Sequence, residues 1–186
     1  MLDLTIKEFS YPNTPEVLIL QDIKFSLKEG EHLVILGESG CGKSTLLHLI
    51  YGLIHLEKGR IFWKKRQLLG PQHNIVPGEL AMKLVAQEFN VMPYISVAEN
   101  IATHLSRNNK QQDAARVDQL LEVVSLQEHK HTKVKNLSGG QKQRVALAKA
   151  LANAPEVILL DEPFSNIDTF RKNKLRRNVY GYLKEN

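Results

Sequence analysis

Leu2, Leu4 and Ile6 alternate with polar neighbours, and Ile23, Phe25 and Leu27 repeat the alternation further on. A period of two gathers each apolar set on one face, which predicts two half-buried antiparallel strands. Lys28 to Glu31 (KEGE) follows as a turn. In HLVILG, His32 to Gly37, the alternation gives way to an unbroken apolar run, the texture of a buried strand. Leu46, Leu47, Leu49 and Ile50 then return at helical spacing, and Gly52 supplies the stop.

Beyond Glu57, turn signals separate weak strands as far as about Ala86, and from Pro93 to about Lys135 the spacing becomes helical. Val117, Leu120, Leu121 and Val124 form one stripe there, after the polar break SRNNKQQ at 106–112. Another helix is predicted after Ser138, and EVILLD, Glu156 to Asp161, is a second continuous apolar strand. The basic tail RKNKLRRN at 171–178 reads as a solvated helix with Phe170, Leu175 and Val179 on its apolar side. Together these elements predict an α/β protein with antiparallel strands first and a helical subdomain inserted in the core. The expected divisions of this single domain, 1–186, are 1–90 (β-subdomain and core), 91–140 (helical subdomain) and 141–186 (second apolar strand and closing helix).

A chain of 186 residues has room for one substantial core. With 42% hydrophobic and 24% charged residues, disorder is excluded. The net charge of +5 suits a nucleotide, an anionic membrane surface or a nucleic acid, and chooses none of them. Cys41 is the sole cysteine, so neither an internal disulfide nor a cysteine metal cluster is expected, in keeping with a reducing compartment. The N-terminus lacks the apolar run of a secretory signal, and no stretch approaches the ~18 apolar residues that span a bilayer. Any spanning helices are therefore expected from another chain.

Chemistry concentrates in three places. GESGCGKST, Gly37 to Thr45, lies between an apolar run and a striped helix, the setting in which such a loop binds phosphate. Gly37, Gly40 and Gly42 let the backbone curl so that the amides of Glu38, Ser39, Cys41 and their neighbours face phosphate oxygens. Lys43 is expected to reach the β- and γ-phosphates and Ser44 to ligate Mg²⁺, with Thr45 also counted among the loop's nucleotide-binding residues. A thiol at that position, beside a lysine, is expected to be reactive. VILLDEP, Val157 to Pro163, ends an apolar strand in Asp161, placed to hold Mg²⁺, and Glu162, placed to act as general base. Finally LSGGQ, with Ser138, Gly139, Gly140 and Gln141, offers amides and a hydroxyl at a helix start but no lysine. Alone it would equally be an ordinary serine cap.

In this order, GESGCGKST, LSGGQ and VILLDEP resemble the ATP-binding domain of an ABC transporter, from about Leu2 to the C-terminus. The resemblance implies a P-loop (RecA-like) core and hydrolysis of Mg²⁺-ATP. It also implies a head-to-tail dimer, with itself or a paired ATPase subunit, in which Ser138, Gly139, Gly140 and Gln141 meet the ATP held by the partner's loop. Tyr11 resembles the aromatic that stacks on adenine. Gln87 resembles the glutamine that senses Mg²⁺ and attacking water and links to the membrane partner. Asp168 resembles the aspartate at the dimer seam, although Asn166 and Ile167 replace the family's usual alanine and leucine. The implied partners are integral membrane permease subunits, not nucleic acid, and the implied location is the cytoplasmic face of the cell membrane. EPFSNID is slightly closer to the importers' version of that stretch.

The family pattern continues to a further strand ending in a histidine, inserted between the P-loop strand and the Asp161 strand. The chain ends before it, so an incomplete domain with weak ATP binding and poor hydrolysis is expected. Two rival readings stand beside this one: a soluble ABC-type ATPase acting on DNA or ribosomes, and a nucleotide-binding regulatory subunit. Against the first, no sustained heptads separate Lys43 from Asp161, and one chain of this length cannot hold two tandem domains.

Overall fold

A computed structural model describes residues 1–74, 76, 78–105 and 109–185, the side chains of 169–171 excepted. Residues 106–108 of the polar break and the side chain of Phe170 thus lie outside the described residues. The chain forms two compact units, Met1–Met82 and Lys83–Asn186.

The first unit is built on an antiparallel sheet of β1 (Leu2–Phe9), β2 (Leu20–Leu27), β3 (Gly59–Trp63) and β4 (Arg66–Gln67), in the order β2-β1-β3-β4. The period-two pattern of β1 is realised, with Leu2, Leu4 and Ile6 buried and Thr5 exposed between them. Leu4 faces Phe25 on one side and Ile61 on the other, so one register serves both neighbours. Gly59 is required at the β1–β3 seam, because a Cβ there would lie 2.5 Å from Thr5 O. Helix α1 (Lys43–Tyr51) buries Leu46, Leu49 and Ile50 as its spacing predicts, while Leu47 is half-buried. Gly52, at φ +84°, ends it by donating to His48 O and Leu49 O.

The run at 32–37 departs from expectation. It forms no strand, and Leu33, Val34 and Leu36 are exposed, Leu36 by 87%. An apolar run becomes a buried strand only when ladders form on its flanks, and no described strand pairs with it.

In the second unit β5 (Met82–Val85) pairs with β6 (Val157–Leu160). The expectation of a continuously buried β6 is met only at Leu159; Val157, Ile158 and Leu160 are half-buried, since among the described residues β5 is the one strand beside it. Helices α2 (Val97–Ala102), α3 (Lys110–Val123), α4 (Gly139–Leu151) and α5 (Thr169–Glu185) enclose one apolar cluster. The stripe Val117, Leu120, Leu121 and Val124 is buried in it, as are Leu175 and Val179 of the basic tail helix. Among the described residues no helix is long and apolar enough to cross a membrane.

Helix α4 is the centre of this unit: every residue from Gln143 to Leu151 is buried. Its polar members are therefore obliged to find partners. Arg144 Nη1 donates to Val124 O and Ser125 O at 3.1 and 2.8 Å, tying α4 to the end of α3. Lys149 Nζ donates to Asn90 O at 2.9 Å, and burial, then the charge of Lys83, holds its ammonium below the usual lysine range.

Candidate nucleotide site

In the first unit the loop 37–45 is shaped by glycine. Gly40 and Gly42 take φ of +84° and +92°, a region that costs other residues strain. At Gly42 a Cβ would also lie 2.7 Å from Leu20 Cδ2 and 3.2 Å from Ile19 O. Gly42→Ala is expected to lower the unfolding free energy by about 1–3 kcal/mol, measured as a fall in melting temperature.

The amides of Lys43, Ser44 and Thr45 precede the first intrahelical bond, Leu46 N–H to Gly42 O, and point out of the helix end. Lys43 Nζ folds back over the loop, donating to Gly37 O at 2.9 Å and Glu38 O at 2.6 Å, with Cys41 Sγ 3.8 Å away. Ser44 is exposed and its hydroxyl makes no hydrogen bond among the described residues. Glu38, Ser39 and Cys41 are exposed on the same loop. Outward amides, an ammonium over the loop and an unspent hydroxyl together fit a polyphosphate with a hard divalent cation. Tyr11, expected to stack on a base, shares a 2.8 Å hydrogen bond with Thr45 Oγ1 and sets its ring edge-on to Phe9, so it is fixed to the first turn of α1.

The second unit carries the other candidates. Asp161 follows β6, is buried, and is anchored by its N–H to Val85 O at 3.0 Å. Its carboxylate has no hydrogen bond or ion pair among the described residues. Its oxygens reach solvent from an otherwise buried residue, and carboxylate oxygens are the hard donors Mg²⁺ takes. Glu162 is exposed and sits at φ +46°, a left-handed conformation that costs a non-glycine residue about 1 kcal/mol. Gln87 is exposed two residues beyond β5. The segment after it is pinned by Lys149 at Asn90 O and by the fully buried Asn100, whose amide accepts from Met92 N–H and donates to Met92 O and Ser96 O.

Ser138 begins α4 as a capping box. Its Oγ accepts from Gln141 N–H at 3.3 Å, and its own N–H donates to Gln141 Oε1 at 2.8 Å. Gln141 Nε2 lies 2.9 Å from His129 Nε2. The amides of Gly139 and Gly140 remain ahead of the first intrahelical bond. Gly139 has open space around it, whereas a Cβ at Gly140 would lie 2.5 Å from Asn166 O. Asp168 opens α5, its carbonyl accepting from Lys172 N–H. Within this unit, therefore, Ser138–Gln141 and the 162–168 segment are brought side by side. Gln143 makes that junction and was not singled out from sequence; the signal available was a glutamine in a helix otherwise destined for the core.

Residues 20–165 match the family described as ABC transporter. The chain is 40% identical over 172 residues to the Fe(3+) ions import ATP-binding protein FbpC of Haemophilus influenzae, covering 91% of this chain and 49% of that protein. It is 39% identical over 179 residues to the taurine import ATP-binding protein TauB of Roseobacter denitrificans, covering 95% and 64%. The chain thus spans about half to two thirds of the length of these relatives. Among solved structures, a dimeric post-hydrolysis state of the ATP-binding cassette MJ0796 bound to ADP and Pi superposes with a TM-score of 0.82 at 27% identity, over 100% of this chain and 84% of that one. The fold is that of an ATP-binding cassette, an α/β P-loop architecture, and the chain belongs to the ABC transporter family.

Proposed function

We propose that the chain is the ATP-hydrolysing subunit of an ABC importer, working as a dimer against separate membrane-embedded permease subunits on the cytoplasmic side. Lys43 and the amides at 37–45 hold the triphosphate, and Tyr11 flanks the base. Ser44 and Asp161, with Gln87, hold Mg²⁺, which offsets phosphate charge when bound. Glu162 takes the proton of the attacking water, and Gln87 relays the state of the site towards the permease. Ser138, Gly139, Gly140 and Gln141 complete the pocket of a second copy, and Asp168 couples the two. Relatives whose names carry import, together with EPFSNID, favour inward transport.

One observation carries this reading. Among the described residues two helix starts combine glycine with outward amides, and only α1 sets a lysine, Lys43, at its first helical position, where α4 has Gly139. The second is half of a site and gains a purpose when a two-fold dimer sets it against the first. Ser138→Arg in the assembled transporter tests it: the variant is expected to bind ATP as the parent does and to lose turnover and ATP-dependent dimer formation. Full turnover in that variant would overturn the proposal. Exposed Cys41, 3.8 Å from Lys43 Nζ, gives a second check. Saturating ATP is expected to slow its alkylation about tenfold or more by occupying the loop; equal labelling with and without ATP would count against the placement.

A further inference from the structure

Gln143 lies on α4 with 2% of its surface exposed, two residues beyond the capping box. Its side-chain amide is fully committed to the segment after Asp161. Nε2 donates to Glu162 O at 3.0 Å and to Ser165 Oγ at 3.3 Å, and Oε1 accepts from Asn166 N–H at 3.2 Å. Glu162 O also accepts from Ser165 N–H at 3.1 Å, so the carbonyl of the strained residue is gripped from within the turn and from the helix. Gly140, one turn earlier on the same helix, lets Asn166 O approach so closely that any side chain would be excluded.

We infer that Gln143 is a positioning residue: its amide holds Glu162 in the left-handed conformation that aims the carboxylate, and fixes the 162–166 turn to the helix that begins at Ser138. This rests on Glu162 being the general base. A glutamine suits the task because one planar group donates and accepts at once. A side chain of equal volume without that pairing leaves the turn to relax, and Glu162 is the residue with strain to release. The consequence is a loss in the chemical step, not in nucleotide affinity, since the amide of Gln143 bonds Glu162, Ser165 and Asn166 and none of the residues assigned to hold the triphosphate.

The test uses Gln143→Met, which keeps volume and loses all three hydrogen bonds, and Gln143→Glu, which keeps the acceptor for Asn166 N–H and loses the donors. Both are made in the full-length protein assembled with its partners, beside Glu162→Gln. The expected result is kcat lower by about tenfold or more with KM for ATP within about twofold, and faster hydrogen exchange at the Asn166 amide in Gln143→Met. A purely packing role predicts turnover and exchange like the parent in Gln143→Met, and that outcome overturns the inference. So does kcat within twofold of the parent while Glu162→Gln is inactive. A fully active Glu162→Gln would instead remove the base assignment, and the Asn166 exchange rate would then decide by itself whether Gln143 holds the turn. If Gln143→Met does not fold, the kcat and KM of Gln143→Glu decide.

Discussion

Glu162→Gln is expected to reduce ATP turnover by about 10²–10⁴-fold while leaving ATP affinity within about twofold. The replacement has the same shape and keeps the backbone at φ +46°, because glutamine is no better or worse suited to that region than glutamate. It removes only the capacity to take a proton from water. Asp161, the adjacent buried carboxylate, remains available to a cation. Binding then proceeds without its consequence, so an ATP-loaded dimer should accumulate, visible as a doubled mass by light scattering in Mg²⁺-ATP. Steady-state phosphate release gives the rate. Unchanged release would remove Glu162 from the chemistry, and a monomer at saturating Mg²⁺-ATP would remove the dimer.

Lys43→Ala is expected to weaken ATP binding by about 10- to 100-fold. The charged bond lost is worth roughly 1.5–3 kcal/mol, at 1.4 kcal/mol per tenfold. Lys43 Nζ donates to Gly37 O and Glu38 O, which holds the ammonium over the loop and leaves its third hydrogen for a phosphate oxygen. Those bonds are exposed, and the unliganded chain should lose little stability when they go. The parent's rise in melting temperature with ATP should vanish in the variant. Lys43→Arg is expected to rescue poorly, since a planar guanidinium does not replace a compact ammonium inside a tight loop. A titration in which Lys43→Ala binds ATP like the parent would show that the loop is not where the triphosphate sits.

Where local chemistry decides the outcome, the residues alone were enough to read it. Alternation placed Leu2, Leu4 and Ile6 on the buried face of β1, and helical spacing placed Val117, Leu120, Leu121 and Val124 in the core. Gly52 ends α1 as its position suggested. The run at 32–37 was misread because burial of a strand is decided by its neighbours, and Val34 and Leu36 have the composition of a buried strand but none of its pairings. The side-chain junctions were invisible for a related reason. Gln143 to Asn166, Lys149 to Asn90 and Arg144 to Ser125 each join residues distant in the chain, and no spacing rule announces them. Candidate chemistry is written in adjacent letters; its support is written in pairs that meet only after folding.

The serine at the head of α4 has one further implication. An oxygen that already takes a hydrogen from Gln141 has its own hydrogen left to present outward, flanked by the free amides of Gly139 and Gly140. That corner can therefore welcome electron-rich groups and turns away metal ions and ammonium groups, whichever molecule brings them. Threonine there would keep the polarity, and alanine would leave the glycine amides without their companion.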